Sequence, residues 1–293
     1  MRRSTVLTTL ALTASSLVLA APASAMMPPG SQTSSKAGKL TCETYVAGID
    51  STGHARYDTV KNAKVTDSST SKKKLGFKAT AIGYYDSVKG DLLVSVVAAD
   101  GTPRQVAMSF TKKGKVELVP GAKKYAQSSF KPRLFADNFG FYAYTVSKKG
   151  QLERWSLTRY RDGRLKYAQK VKLGGGYGDL TSLQATNYQK IKGVTKELLF
   201  ATTSAGELLQ IEVPTKKPTK LKMRTLATTG YAGVSEISWS ICNDDFTHIS
   251  LVAIDPVADV ATWTTVKDVD GKPKSTLRGS ITGGDGWDRV GTI

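Results

Sequence analysis

From Leu40 onward the chain alternates short runs rich in Val, Ile, Leu, Tyr and Thr with breaks of Gly, Pro, Asp, Asn and Lys. Runs of this kind are strand signals and the breaks are turn signals, while apolar residues spaced for one face of a helix are scarce. A strand-turn-strand unit recurs at Thr44–Gly53, Leu92–Gly101, Phe141–Gly150, Leu198–Gly206 and His248–Ala258. Its turns, at positions 53, 101, 150, 206 and 258, are 48, 49, 56 and 52 residues apart. A second turn after each, at Asn62, Gly114, Gly163, Pro218 and Gly271, is spaced by 52, 49, 55 and 53. Two independent markers thus share one period of about 50 residues, a length that suits a four-stranded repeat unit.

A third marker is a pair ending in an aromatic residue that opens a further strand. It reads Gly76-Phe77, Ser129-Phe130, Gly176-Tyr177, Gly230-Tyr231 and Gly286-Trp287, with spacings of 53, 47, 54 and 56. The first unit lacks such a pair near residue 40, and a surplus copy, Trp287–Ile293, ends the sequence. That offset is expected when the last strand completes the first sheet, so that a ring of sheets leaves no unpaired edge at its seam. The pattern predicts an all-β fold, a five-bladed β-propeller of four-stranded blades closed by pairing of the C-terminal strand with the first blade. The alternative is a β-sandwich or a two-domain β protein with evenly spaced turns.

Ahead of this region, residues 1–25 join Arg2 and Arg3, an apolar stretch from Val6 to Ala21, and the small-residue site Ala23-Ser24-Ala25. That order is the order of a cleaved secretory signal peptide, and Thr8, Thr9, Thr13, Ser15 and Ser16 dilute the stretch against a membrane anchor. The paired arginines match the twin-arginine route less well than the general secretory one. Residues 26–39, rich in Pro, Gly, Ser and Thr, read as a flexible leader, and 40–293 as a single propeller domain. No later stretch is apolar enough to span a bilayer as a helix. The expectation is a secreted, extracellular protein.

Export bears on the cysteines. Cys42 and Cys242 are the two cysteines of the chain, and in an oxidising compartment they suggest one disulfide that would lock the seam of the ring; two buried free thiols are the alternative.

Charge adds a partner class. Removing residues 1–25, which hold two arginines and no acid, takes the net charge from +18 to +16 over the remaining 268 residues. Lysines collect at Lys72–Lys74, Lys112-Lys113, Lys123-Lys124, Lys148-Lys149 and Lys216-Lys217. They solvate hairpin tips and discourage edge pairing, or they attract anionic glycans or cell-envelope polymers. Nucleic acid fits an exported protein poorly.

The stretches Phe141–Trp155 and Gly283–Trp287 resemble the repeats of tachylectin-like five-bladed propellers, over roughly residues 40 to 293. The resemblance implies a secreted propeller that binds N-acetylated sugars between its blades.

Catalytic chemistry is sparse. His54 and His248 stand apart from any nucleophile pattern, and with the two cysteines they lack the clustered spacing of a zinc site. Asp268-Val269-Asp270-Gly271 is the nearest approach to a calcium loop and reads equally well as a β-turn. Asp179, Glu236, Asp244 and Asp288 lie near strand ends, where a glycosidase would place its two carboxylates. We therefore expect no metal, no cofactor and no catalytic residue. The candidate ligand-binding residues are Phe77, Phe130, Tyr177, Tyr231 and Trp287, whose rings suit sugar faces, with Asp179, Asp288 and Arg289 as hydrogen-bonding groups. The same aromatics serve equally as inter-blade packing. The function expected is a carbohydrate-binding, lectin-like propeller without catalytic activity. The alternatives are an extracellular glycoside-active enzyme and a cationic structural protein of the cell envelope.

Overall fold

The computed structural model describes residues 41–88, 91–124, 131–138, 142–159, 165–191, 194–243, 245–284 and 286–292. The expected signal peptide and leader, and Phe130 and Asp244, lie outside the described residues.

Among the described residues, twenty strands form five four-stranded antiparallel sheets. Blade 1 contains β1 (Glu43–Asp50), β2 (His54–Lys61) and β3 (Lys64–Lys74). Blade 2 runs through β4 (Ala79–Val88), β5 (Asp91–Ala98), β6 (Pro103–Phe110) and β7 (Val116–Lys124). Blade 3 has β8 (Leu134–Asn138), β9 (Tyr142–Val146), β10 (Leu152–Arg159) and β11 (Leu165–Gly174). Blade 4 has β12 (Leu180–Ile191), β13 (Val194–Thr203), β14 (Leu208–Pro214) and β15 (Lys222–Ala227). Blade 5 has β16 (Glu236–Cys242), β17 (Asp245–Asp255), β18 (Val260–Lys267) and β19 (Lys274–Ser280).

The last strand, β20 (Arg289–Thr292), pairs with β1 through Gly48↔Thr292, Ile49↔Gly291 and Asp50↔Arg289. It is therefore the missing strand of blade 1, whose order is β20-β1-β2-β3. The strands β20, β4, β8, β12 and β16 neighbour one another in turn around the axis. The protein is a five-bladed β-propeller whose ends close one blade, which accounts for the surplus repeat at the C-terminus.

Strand alternation builds the joints between blades. On β1 the odd positions Ala47 and Ile49 pack with Ile82, Val94 and Met108 of blade 2, while the even Val46 packs with Val252, Ile254 and Trp263 of blade 5. Both faces of a blade are thus buried, each against a different neighbour. Further apolar clusters fill the joints between blades 2 and 3, 3 and 4, and 4 and 5. Cys42 and Cys242 are bonded across the joint of blades 5 and 1, at a sequence separation of 200. The disulfide reading of the pair is the one the structure shows.

Charge is buried where blades 3 and 4 meet. Glu197, fully enclosed, accepts from the Tyr144 hydroxyl and from Arg154 at 3.2 Å. Within blade 4, Glu212, 1% exposed, pairs with Lys196 of β13 at 2.6 Å and Arg224 of β15 at 2.8 Å. Such pairs hold only as units, because removing one partner strands the other charge away from water.

Candidate functional site

At the joints of blades 3 and 4 and of blades 4 and 5, the segment carrying the aromatic marker ties a blade to its predecessor. The Tyr177 N–H donates to the Gly150 carbonyl at 3.0 Å and the Tyr231 N–H to the Gly206 carbonyl at 3.1 Å. Each acceptor lies in the hairpin turn of the preceding blade. Gly150 has φ +70°, and a Cβ there would stand 2.7 Å from the Gly178 nitrogen, so both the turn and the close approach require glycine. At the seam the turn residue is Asp259, whose carboxylate accepts from the Trp287 N–H. Asp288 next to it accepts from the Ser51 N–H at 3.1 Å and the Ser51 hydroxyl at 2.6 Å.

This tethering turns three of the expected sugar-facing rings inward. Tyr177, Tyr231 and Trp287 retain 9%, 1% and 4% of their surface and sit in the clusters of successive joints. The Tyr231 hydroxyl is within 2.6 Å of Thr264 Oγ1. Arg289 is buried and paired with Asp58, with its guanidinium 5.4 Å from the Trp287 ring centre. Loss of water around Arg289 lowers its pKa, opposed by the Asp58 charge. Asp179 is exposed, and its carbonyl accepts from the Ser204 N–H. These groups are spread over separate joints, where their rings pack blade against blade.

The joint of blades 1 and 2 is built differently. Here the Leu75 N–H, two residues ahead of the aromatic, donates to the Gly53 carbonyl at 2.8 Å. Leu75 packs on the joint core, and Phe77, packed there too, stays half-buried beside a cleft of about 380 Å³. Val106, Leu118 and Val119 supply apolar walls, and Lys73 and Lys74, the last residues of β3, supply charge. The Arg104 guanidinium from β6 lies over the Phe77 ring, 4.1 Å from its centre. Its nearest carboxylate, the exposed Asp100, is 3.6 Å away, beyond hydrogen-bonding distance, and its Nε–H is enclosed without a partner. Among the described residues no acidic side chain lines the cleft. Phe77 thus presents a flat cation held against one ring face, which changes the chemistry expected of it from stacking alone.

Arg104 was not legible as a site residue, since no short-range pattern links it to Phe77. The Lys72–Lys74 run, read as a hairpin tip, instead ends the outer strand and brings two of its lysines to the cleft.

Glu236 lines a cavity of about 50 Å³ on the axis with Arg133, and among the described residues no second carboxylate lines it. Arg133 is held by the carbonyls of Leu180 and Tyr177. His54 Nδ1 lies 2.8 Å from the Ser71 carbonyl, and His248 Nδ1 lies 2.9 Å from Thr247 Oγ1. The Asp268–Gly271 stretch is a turn closed by Gly271 N–H to the Asp268 carbonyl at 2.9 Å, with Val269 buried within it. Among the described residues no three His, Cys, Asp or Glu side chains gather as metal ligands, and no helix is long and apolar enough to cross a membrane.

Burial also raises the pKa of several tyrosines. Tyr45 is pushed up to about 12, by desolvation first and then by its bond to Glu43. Desolvation is the leading cause for Tyr57, Tyr144, Tyr177 and Tyr231 as well. A phenol whose folded pKa exceeds the unfolded value of about 10 adds stability that is complete below that pH and is lost as pH rises through the folded value. Denaturant midpoints should therefore fall from about pH 10 upward, with phenolate absorbance appearing together with unfolding. Titration of these phenols near their ordinary pKa in a chain that stays folded would contradict the packing described.

No protein family and no curated protein matches the sequence. Among solved structures, the chain is similar to an arginine-to-alanine triple mutant of AofleA from Arthrobotrys oligospora. The identity is 12%, over 84% of this chain and 74% of that one, with a TM-score of 0.46. It is also similar to the SapL1 lectin in complex with alpha methyl fucoside, at 10% identity over 83% of each chain and a TM-score of 0.41.

Proposed function

We propose that the protein is a secreted carbohydrate-binding propeller without catalytic activity, and that its glycan occupies the cleft between blades 1 and 2. The observation that carries this reading is the register of that joint. With Leu75 taking the tethering bond, the marker aromatic is left half-buried beside a cleft of about 380 Å³ instead of being sealed between blades. Apolar walls with a few fixed polar groups are the usual makeup of a small-ligand site. The Cys42–Cys242 disulfide supports export, since such bonds persist in oxidising compartments.

Gly76 provides the test. It lines the cleft, and a Cβ added there meets nothing within 4 Å. Gly76→Trp should therefore fill the cleft while leaving the melting temperature nearly unchanged. On a glycan array the mature protein should bind defined sugars in a manner that survives high salt, and Gly76→Trp should lose that binding. Unchanged binding by the variant would move the site elsewhere. Silence on the array combined with turnover of a glycoside would favour the enzyme, and salt-abolished binding to every anionic ligand would favour the cationic envelope protein.

A further inference from the structure

Resting on the cleft as the glycan site, we infer that it selects acidic sugars, with Arg104 as the group that receives the ligand carboxylate and Phe77 as the residue that positions Arg104.

Charge around the cleft is the first argument. Lys73, Lys74 and Arg104 line it, and among the described residues no Asp or Glu does. Asp100, the carboxylate nearest to Arg104, keeps 59% of its side-chain surface in water and stands 3.6 Å away. A solvated acid at that distance neutralises little of the guanidinium charge, because water screens the pair. An anion entering the cleft thus meets a positive field that the described carboxylates cancel only in small part.

The state of Arg104 is the second argument. Its side chain keeps 19% of its surface, and its Nε–H is shut away from solvent without an acceptor. A guanidinium stripped of part of its water interacts more strongly with an arriving carboxylate than a free surface lysine does. The Phe77 ring beneath it, 4.1 Å from ring centre to the guanidinium carbon, fixes the plane of the fork. Fixing the plane before binding lowers the entropy lost when two parallel hydrogen bonds form, and planarity is what a carboxylate matches and an ammonium does not.

The apolar walls supply the third. Val119, 38% exposed and backed by the buried Val106 and Leu118, gives the ring of a sugar a surface to cover, which a bare inorganic anion would leave unused. The ligand chemistry is therefore a sugar ring bearing a carboxylate, and not a phosphate or a chloride ion.

The experiment is titration calorimetry of the mature protein with an oligogalacturonate and with its methyl ester, at matched ionic strength. The two probes share a ring and differ in charge. The acid should bind about tenfold or more tightly than the ester, the worth of one good charge-assisted pair. Arg104→Lys keeps the charge but loses the planar fork, and should reduce that preference severalfold; Phe77→Leu should do so partly, with the melting temperature of each variant measured alongside. A sulfated oligosaccharide of similar length separates a general anion preference from carboxylate recognition. Binding it as tightly as the oligogalacturonate would overturn the carboxylate assignment. Equal affinity for acid and ester, both abolished by Gly76→Trp, would overturn the acidic selectivity and leave the cleft as the glycan site. Acid binding that Gly76→Trp and Arg104→Lys both leave intact would mean general attraction to the cationic surface and would sink the inference together with the site.

Discussion

Deleting Trp287–Ile293 will abolish cooperative thermal unfolding of the domain. The segment contributes Trp287, 4% exposed in the joint of blades 5 and 1, and Arg289, paired with Asp58. Losing a buried Trp costs about 3–5 kcal/mol and stranding a buried charge a similar amount, against a total stability of roughly 5–15 kcal/mol. The deletion also strips β1 of its partner at Gly48, Ile49 and Asp50, leaving an unpaired strand edge facing the axis. Circular dichroism melting and size-exclusion chromatography are the measurements. The expected product melts without a clear transition and associates. A truncated chain that melted within a few degrees of the full one would show that the ring holds without its clasp.

The second large effect is loss of the disulfide. Cys42 and Cys242 close a loop 200 residues long, and the chain-entropy account assigns a bridge of that span on the order of 5 kcal/mol. The double variant Cys42→Ser/Cys242→Ser should therefore melt roughly 10 °C or more below the native protein. Reducing agent acting on the native chain should produce a similar drop as the bond opens. Because the bridge and β20 secure the same joint, the two losses should not add when combined. An unchanged melting temperature in the double variant would mean that unfolded-state freedom is limited by something other than this bond.

The site shows the limits of reading the chain by itself. Spacing located all the marker aromatics, and those that are described lie at successive joints, as inter-blade packing would have them. It did not show that Tyr177 and Tyr231 are tethered through their own N–H groups while Phe77 is not. The flanking residues, Gly76-Phe77 and Gly176-Tyr177, look alike. The difference arises because Leu75 meets the Gly53 carbonyl two residues early, and that register is settled by how blade 1 packs on blade 2. Arg104 stands 27 positions beyond Phe77 and two strands further on in the same blade. No local period encodes their contact.

What the sequence by itself determined was the number of blades, the closure of the first by the last strand, and the pairing available to two cysteines. These follow from turn residues and alternating apolar positions, whose effect on the backbone is local and repeats along the chain. Only the tertiary structure decided which aromatic would border an open cleft and which cation would lie on it. Those outcomes depend on side chains from different strands competing for the same space and the same hydrogen-bond acceptors at each joint, and that competition is resolved only when the blades meet.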